Sequence, residues 1–360
     1  RNGPESTSLR GSSSPAIDAG TNSVVTVPAD LGGNPRIADG DGNGTPTVDM
    51  GAYEAPPAIL YVDDSATGSG TGADWSNAFT DLQDGLSWAM AGTEIWVAGG
   101  VYLPGTSEFD SFYPVPGAAM VGGFSGVPGT EGDVTARDWV AHPSVLSGDI
   151  GGDDVTDANG VITSTDGITG TNSNHVVFAE GSQGTPVTAT TRLDGFTITG
   201  GQADFAAFGY DNGGGFYCDG GGTEGACSPS LANLSFSGNL AINIGGALYN
   251  AGSFGGDSSP RLVNVTFSGN SATEGAAMFN NGYNDGVSNP ILINVTFSGN
   301  SATHGGAIYN WGASGESSPS LVNVTFSGNA ATQGGAIYND GSIAFGRGNW
   351  SGVGLGGSVQ

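Results

Sequence analysis

The chain has 360 residues, of which 34 are acidic and seven are basic, so its formal net charge is −27. Nucleic acids and anionic lipid surfaces bind proteins through basic patches that displace counterions, and this composition excludes both as expected partners. No apolar run approaches the roughly 18 to 20 residues that a membrane-spanning helix requires.

Glycine punctuates the whole chain, with 67 glycines and 17 prolines in a sequence that is 37% hydrophobic. The glycines stand between short runs of β-branched and aromatic residues, as turns do between strands. The composition therefore predicts an all-β protein rather than a disordered chain.

Residues 39–44 (DGDGNG) have the opening of an EF-hand-type calcium loop. The expected ligands are carboxylate and amide oxygens: Asp39, Asp41, Asn43 and Asp49. Asp49 is included because position 12 of the loop is Met50 rather than glutamate, and Glu54 is the alternative donor. Calcium is the one cofactor that the sequence suggests. The alternative is that this segment is an acidic glycine-rich turn that binds no ion.

Residues 77–91 place four apolar side chains on one side of a predicted amphipathic helix. These are Phe79, Leu82, Leu86 and Met90. We expect the helix to cap one end of the β structure that follows. Strand-like runs then occupy residues 94–103, 118–126, 144–149 and 175–181.

An acidic cluster lies at residues 148–157 and contains Asp149, Asp153, Asp154 and Asp157. Glycosidases use paired carboxylates for catalysis. The alternative is that this cluster belongs to an ordinary solvated loop. The three histidines, His142, His175 and His304, have neither metal-ligand spacing nor a partnered nucleophile, so they add no catalytic pattern.

Cys218 and Cys227 are nine residues apart in a glycine-rich segment. This spacing is compatible with a local disulfide in an oxidising compartment. The alternative is a pair of free cysteines that act as small residues.

Four repeats of about 30 residues follow. Their first block reads SLANLSFSGN (230–239), RLVNVTFSGN (261–270), ILINVTFSGN (291–300) and SLVNVTFSGN (320–329). Their second block reads IGGALYN (244–250), EGAAMFN (274–280), HGGAIYN (304–310) and QGGAIYN (333–339). A period of this length, with short strands and glycine turns, predicts one coil of a parallel β-helix per repeat.

Alternation within the first block predicts Val263, Val265 and Phe267 on a buried face, with Asn264 and Thr266 opposite. Stacked coils then build ladders of identical side chains. The predicted ladders are Phe236, Phe267, Phe297 and Phe326, and Asn239, Asn270, Asn300 and Asn329.

Two further rows leave alternatives open. The N-V-T segments at 264–266, 294–296 and 323–325 fit strand residues stacked in register, or a flat face that binds a glycan or ice. The aromatic residues Tyr249, Phe279, Tyr309 and Tyr338 fit a stacked structural ladder, or a platform for sugars.

The FSGNSAT and GGAIYN blocks resemble polymorphic outer membrane protein repeats. Residues from ILYVDDSATGSG (59–70) through VLSGDIGG (145–152) to LDGFTITGG (193–201) resemble secreted bacterial β-helix proteins. The resemblance spans about residues 58–340 and implies a right-handed parallel β-helix in an exported or cell-surface bacterial protein, adhesin-like or autotransporter-like. It supplies no catalytic residues.

The order of segments is unusual. Residues 1–57 resemble the closing part of a preceding β-helix module, residues 58–192 a cap and first coils, residues 193–340 the repeat coils, and residues 341–360 a glycine-rich tail. Either the chain is a slice of a longer protein, or copies pair head to tail so that the leading segment of one covers the last coil of the next.

The sequence therefore predicts a non-catalytic extracellular surface protein, adhesin-like or structural, with copies of itself or surface glycans and proteins as partners. The alternatives are a glycan-binding module and a carbohydrate-active β-helix enzyme, a polysaccharide lyase or hydrolase. A lyase would need a basic proton acceptor, and only Arg137 and Arg192 lie near the acidic cluster in sequence.

Overall fold

A computed structural model of the chain describes residues 15–27, 36–37, 40, 47–51, 58–129, 133–182, 184–206 and 209–341. Within them the chain winds into stacked coils, and every strand pairs in parallel with its equivalent in the neighbouring coil. This is the predicted all-β, right-handed parallel β-helix. Its interior is filled by one continuous apolar core.

Three sheets form the sides of the helix. The first sheet contains β1 (Ile59–Val62), β2 (Glu94–Ala98), β4 (Ala119–Phe124), β7 (Arg192–Asp194), β11 (Ser230–Ala232), β15 (Arg261–Val263), β18 (Ile291–Ile293) and β22 (Ser320–Val322). The second contains β3 (Gly100–Tyr102), β5 (Ser144–Ser147), β8 (Phe196–Thr199), β12 (Ser235–Ser237), β16 (Thr266–Ser268), β19 (Thr296–Ser298) and β23 (Thr325–Ser327).

The third sheet contains β6 (Val177–Glu180), β10 (Phe216–Asp219), β14 (Leu248–Ala251), β17 (Met278–Asn281), β21 (Ile308–Trp311) and β25 (Ile337–Asp340). Two short pairs complete the strands: β9 (Gln202–Ala203) with β13 (Leu240–Ala241), and β20 (Ser301–His304) with β24 (Ala330–Gln333). Because β7 pairs with both β4 and β11, residues 58–192 and 193–340 form one uninterrupted stack.

A turn residue separates the first-sheet strand from the second-sheet strand in each repeat. Asn264 has a φ of +55°, in the left-handed region that asparagine tolerates better than most residues. The bend restarts the alternation, so Leu262 points inward and Val263 outward. The prediction that Val263 belongs to the buried face is wrong for this reason, since Val263 is partly exposed whereas Leu262 is fully buried.

The interior phenylalanines stack in register from coil to coil. Ring centroids are 4.8 Å apart between Phe236 and Phe267, 4.9 Å between Phe267 and Phe297, and 5.1 Å between Phe297 and Phe326. The spacing follows from the distance between hydrogen-bonded strands. Each fully buried ring contributes roughly 1.5–3 kcal/mol through removal from water.

A ladder of buried amides runs beside these rings. The Nδ2 atom of each asparagine donates to Oδ1 of the next, at 3.0 Å for Asn239 to Asn270, 2.9 Å for Asn270 to Asn300 and 2.8 Å for Asn300 to Asn329. A second ladder links Asn250, Asn280, Asn310 and Asn339 in the same way. Apart from the Oδ1 atom of Asn250, which begins the second ladder and accepts no hydrogen bond from any described residue, the ladders satisfy polar groups that burial would otherwise make costly.

The glycine pair of the GGA blocks has a steric cause. Gly245 has a φ of +64°, and a Cβ atom on Gly246 would lie 2.3 Å from the carbonyl oxygen of Ser271 in the next coil. The chain therefore turns at one glycine and lets the next coil approach at the other.

The predicted helix covers the first coil but is shorter than residues 77–91. It is α1 (Leu82–Trp88), and the Asp81 carboxylate caps it by accepting a 2.8 Å hydrogen bond from the Gln83 N–H. Phe79 precedes it and forms a bridge with Val62. Leu82 and Leu86 are buried against the core, while Met90 lies beyond the helix end. Short 3-10 helices occur at Asn22–Val24, Trp75–Asn77, Val134–Ala136 and Thr165–Gly167.

Candidate binding surface

The outer side of the third sheet carries an aromatic row. Neighbouring centroids are 4.9 Å apart for Tyr217 and Tyr249, 5.8 Å for Tyr249 and Phe279, 4.8 Å for Phe279 and Tyr309, and 5.0 Å for Tyr309 and Tyr338. The middle of the row is covered, since Phe279 is only 1% exposed. The geometry is that of a stacked structural ladder.

A second aromatic group lies at the end of this sheet and in the turns that follow it. We call Phe254, Tyr283 and Trp311 the turn strip. The rings of Tyr283 and Trp311 stack at 4.8 Å, and Phe254 meets Tyr283 edge-on at 5.6 Å. Phe254 is 59% exposed, and the other two rings are partly exposed. Three successive coils thus present adjoining aromatic surfaces to solvent.

Phe254 occupies an unfavourable backbone conformation. Its φ is +59°, a region in which a bulky side chain is a rare outlier. The equivalent residues of the next two coils are Asn284 (φ +56°) and Ser314 (φ +59°). Holding phenylalanine there costs on the order of 1–3 kcal/mol, and strain of this kind concentrates at functional sites.

Exposed carboxylates share these turns. Asp257, Asp285 and Glu316 come from the same three coils as the turn strip. Ionised carboxylates accept hydrogen bonds from hydroxyl groups, and aromatic rings pack on apolar C–H faces. The surface therefore combines the two contacts that a sugar ring offers.

The N-V-T segments belong to a different edge. Asn233, Asn264, Asn294 and Asn323 are joined by side-chain hydrogen bonds of 3.1, 3.1 and 2.8 Å. Thr266 and Thr325 are exposed on the adjoining strands, in register with Thr296. These amides are engaged with one another, which is the structural explanation of the repeat.

The two arginines nearest the acidic cluster in sequence bind elsewhere. The Arg137 Nη2 atom lies 2.7 Å from the Asp194 carboxylate, which Arg192 also contacts. Burial raises the pKa of Asp194, but hydrogen bonds from Arg192, Asn233 and Arg137 outweigh it and hold that pKa below its usual range. Both guanidinium groups thus serve a structural ion pair.

The histidines are dispersed. His175 is buried, its Nδ1 atom lies 3.1 Å from the Gly213 carbonyl oxygen, and burial lowers its pKa to about 4. His304 lies 3.5 Å from the Glu274 carboxylate, and His142 is exposed.

Cys218 and Cys227 form a disulfide with their Cα atoms 5.5 Å apart. Both residues are fully buried, and Cys218 belongs to β10. The disulfide closes the turn at residues 219–226, which lies one coil before the turn that contains Phe254.

Most of the predicted calcium loop, including Asp39, Asp41 and Asn43, lies outside the described residues. Asp49 is 4% exposed, and its Oδ1 atom accepts a 2.8 Å hydrogen bond from the Asp18 N–H. Asp49 therefore has a structural contact within residues 15–51.

The Chlamydia polymorphic membrane protein repeat model matches residues 233–251, 294–310 and 323–340. The chain carries repeats of this family. The matches coincide with three of the four coils that stack in register, and the repeat supports a surface-exposed, adhesin-like protein as the coarse functional class. No curated protein and no solved structure matches the chain. None of the helices in the described ranges is long and apolar enough to cross a membrane.

Sequence reasoning missed the turn strip. Its three aromatic residues occupy different positions of the repeat, so aligning the repeats does not superpose them. The available signal was an aromatic residue within or immediately before three successive glycine-rich turns.

Proposed function

We propose that this chain is a non-catalytic extracellular protein of a bacterial surface, adhesin-like, whose turn strip binds surface glycans. The observation that carries the proposal is Phe254, a strained and exposed ring that adjoins Tyr283 and Trp311 among carboxylates. The family repeat and the disulfide support an exported location.

The β-helix suits this role because stacked coils make a stiff scaffold. Each turn is positioned by the coil beneath it, so residues from three coils hold a fixed spacing. A rigid binding surface avoids much of the entropy cost of ordering loops when a ligand binds.

A glycan array probed with the whole chain tests the proposal, followed by calorimetry on the best glycan. We expect Trp311→Ala and Tyr283→Ala to weaken binding at least tenfold, because the sugar ring loses a stacking surface worth about 1.4 kcal/mol or more. Trp139→Ala is the control, since Trp139 is 39% exposed but packs on Arg137 elsewhere.

Equal binding by Trp311→Ala and Trp139→Ala would place any glycan site outside the turn strip. Release of products from acidic polysaccharides by the wild-type chain would contradict the non-catalytic assignment and favour a lyase or hydrolase.

We also propose that copies associate head to tail. Within the described residues, β22, β23 and β25 each stand at the end of a sheet, and Leu321, Phe326 and Ile337 are only partly buried. Unpaired strand edges over apolar side chains favour strand addition. Residues 1–57, which resemble a closing segment, are the proposed partner surface.

Negative-stain electron microscopy across a concentration series tests this association. Unbranched fibres that lengthen with concentration are expected, and isolated short rods at every concentration would contradict it. We further propose that calcium bound in the 39–44 loop supports this association. Removing calcium with a chelator should then shorten the fibres.

A further inference from the structure

The loop between β5 and β6 gathers three carboxylates at its base. One carboxylate oxygen from each of Asp149, Asp153 and Asp154 lies within 4.8 Å of the others. No arginine or histidine of the described ranges forms an ion pair with them. Backbone N–H groups and the Asn172 amide donate hydrogen bonds to Asp149 and Asp154. A cation between the three carboxylates would relieve the repulsion that remains between like charges at this spacing.

A buried amide beside the cluster lacks a partner for its oxygen. Asn172 is 4% exposed, and its Nδ2 atom donates to Asp154 Oδ2 at 2.6 Å and to the Gly200 carbonyl oxygen at 2.8 Å. These two acceptors fix the orientation of the amide. Its Oδ1 atom is buried and accepts no hydrogen bond from any described residue. An unsatisfied buried acceptor against a carboxylate cluster is the arrangement that a cation relieves.

We propose that Asp149, Asp153, Asp154 and the Oδ1 atom of Asn172 bind a calcium ion. All four donors are hard oxygens, which calcium prefers. Calcium accepts six to eight ligands in irregular geometry and completes its shell with water, whereas magnesium demands a near-ideal octahedron. This site is separate from the 39–44 loop.

The ion would fasten the two ends of the loop together. Asp154 Oδ1 already accepts a 2.6 Å hydrogen bond from the Thr169 N–H, so the segment that leaves the cluster meets the segment that returns to it. The loop tip lies on the second sheet, where the Ile162 carbonyl oxygen accepts a 2.8 Å hydrogen bond from the Ser237 hydroxyl. Binding therefore stabilises a cover over β8 and β12.

The test uses the whole chain, freed of ions with a chelator and titrated with calcium by calorimetry and thermal melting. We expect Asp153→Asn and Asn172→Ala to bind calcium at this site at least tenfold more weakly. Asp166→Asn removes an exposed charge from the same loop and should bind like wild type. Asp41→Asn separates this site from the 39–44 loop and should leave it intact.

Thermal melting distinguishes loss of a ligand from loss of the fold. In chelator, Asp153→Asn should melt no lower than wild type, because it removes a repelling charge. In calcium, wild type should gain stability and Asp153→Asn should gain less. Equal calcium affinity and equal stabilisation of Asp153→Asn, Asn172→Ala and wild type would overturn the site, leaving buried water as the partner of Asn172. Equal stabilisation by magnesium would overturn the choice of calcium.

Discussion

Asn270 shows how much one side chain does inside a solenoid. Its Oδ1 atom accepts hydrogen bonds from the backbone N–H and the Nδ2 atom of Asn239, and its own Nδ2 atom donates to the Phe236 carbonyl oxygen and to Asn300. All of these groups are buried. The residue therefore joins three successive coils through hydrogen bonds that water cannot replace.

Asn270→Ala should lower the free energy of unfolding by about 2–4 kcal/mol, because it leaves buried partners on Asn239 and Asn300 unsatisfied. Urea denaturation followed by circular dichroism measures the effect. Asn159→Ala, in an exposed turn, is the control and should change stability by less than about 0.5 kcal/mol. Similar midpoints for the two variants would contradict a structural role for the ladder.

His175 makes stability depend on pH. Burial lowers its pKa to about 4 in the folded chain, whereas the unfolded chain keeps a value near 6.5. Folding favours the neutral ring. The contribution of His175 to the free energy of unfolding is therefore complete above about pH 6.5 and declines as the pH falls toward 4. The loss is on the order of 3 kcal/mol across that window.

His175→Asn should flatten the stability profile between about pH 4 and 6.5, since asparagine does not titrate. Urea midpoints at a series of pH values measure the slope. His142→Asn, at an exposed histidine, should keep the wild-type slope. A His175→Asn profile as steep as wild type would assign the dependence to other groups.

Each described strand of the repeats is only two to four residues long, so its stability depends on the neighbouring coils. Phe267 in β16 is covered on both sides, by Phe236 and by Phe297. Phe326 in β23 has one aromatic neighbour and is partly exposed. Phe267 and Phe326 occupy equivalent positions but should therefore contribute different amounts to the free energy of unfolding.

Phe267→Ala should cost about 3–5 kcal/mol of unfolding free energy, because it opens a cavity between two coils. Phe326→Ala should cost about half of that or less under conditions where the chain is monomeric. Denaturant midpoints of the paired variants test the difference. Equal losses would show that the last described coil is covered.

The whole molecule is a linear stack, and stability in such a stack is a sum of coil energies and interfaces between neighbours. The first coil is covered by α1, whereas β22 to β25 contact described residues on one side only. The two ends are therefore unequal. Local opening should begin at the end with fewer interfaces.

Hydrogen exchange on the monomeric chain should show faster exchange for the amides of β22, β23 and β25 than for those of β15, β16 and β17. The difference should be at least tenfold, equivalent to about 1.4 kcal/mol of opening free energy. Mass spectrometry of peptic fragments resolves the coils. Equal protection of both groups would mean that the last described coil is not an end.

The sequence by itself determined the repeat, the parallel stacking and the phenylalanine and asparagine ladders, because identical residues at one period must superpose when coils stack. It misplaced Val263, since the left-handed turn at Asn264 resets an alternation that reads as continuous in the letters. It also extended the helix beyond Leu82–Trp88, where the Asp81 cap begins it.

The binding surfaces were decided only by the tertiary structure. Phe254, Tyr283 and Trp311 come from three coils and meet because neighbouring turns stack in register, so that side chains one or two repeat positions apart lie side by side. Asn172 lies far from Asp149 in sequence and reaches the cluster because the loop returns upon itself. Periodicity constrains what repeats, but contacts between non-repeating turns and loops depend on the path of the folded backbone.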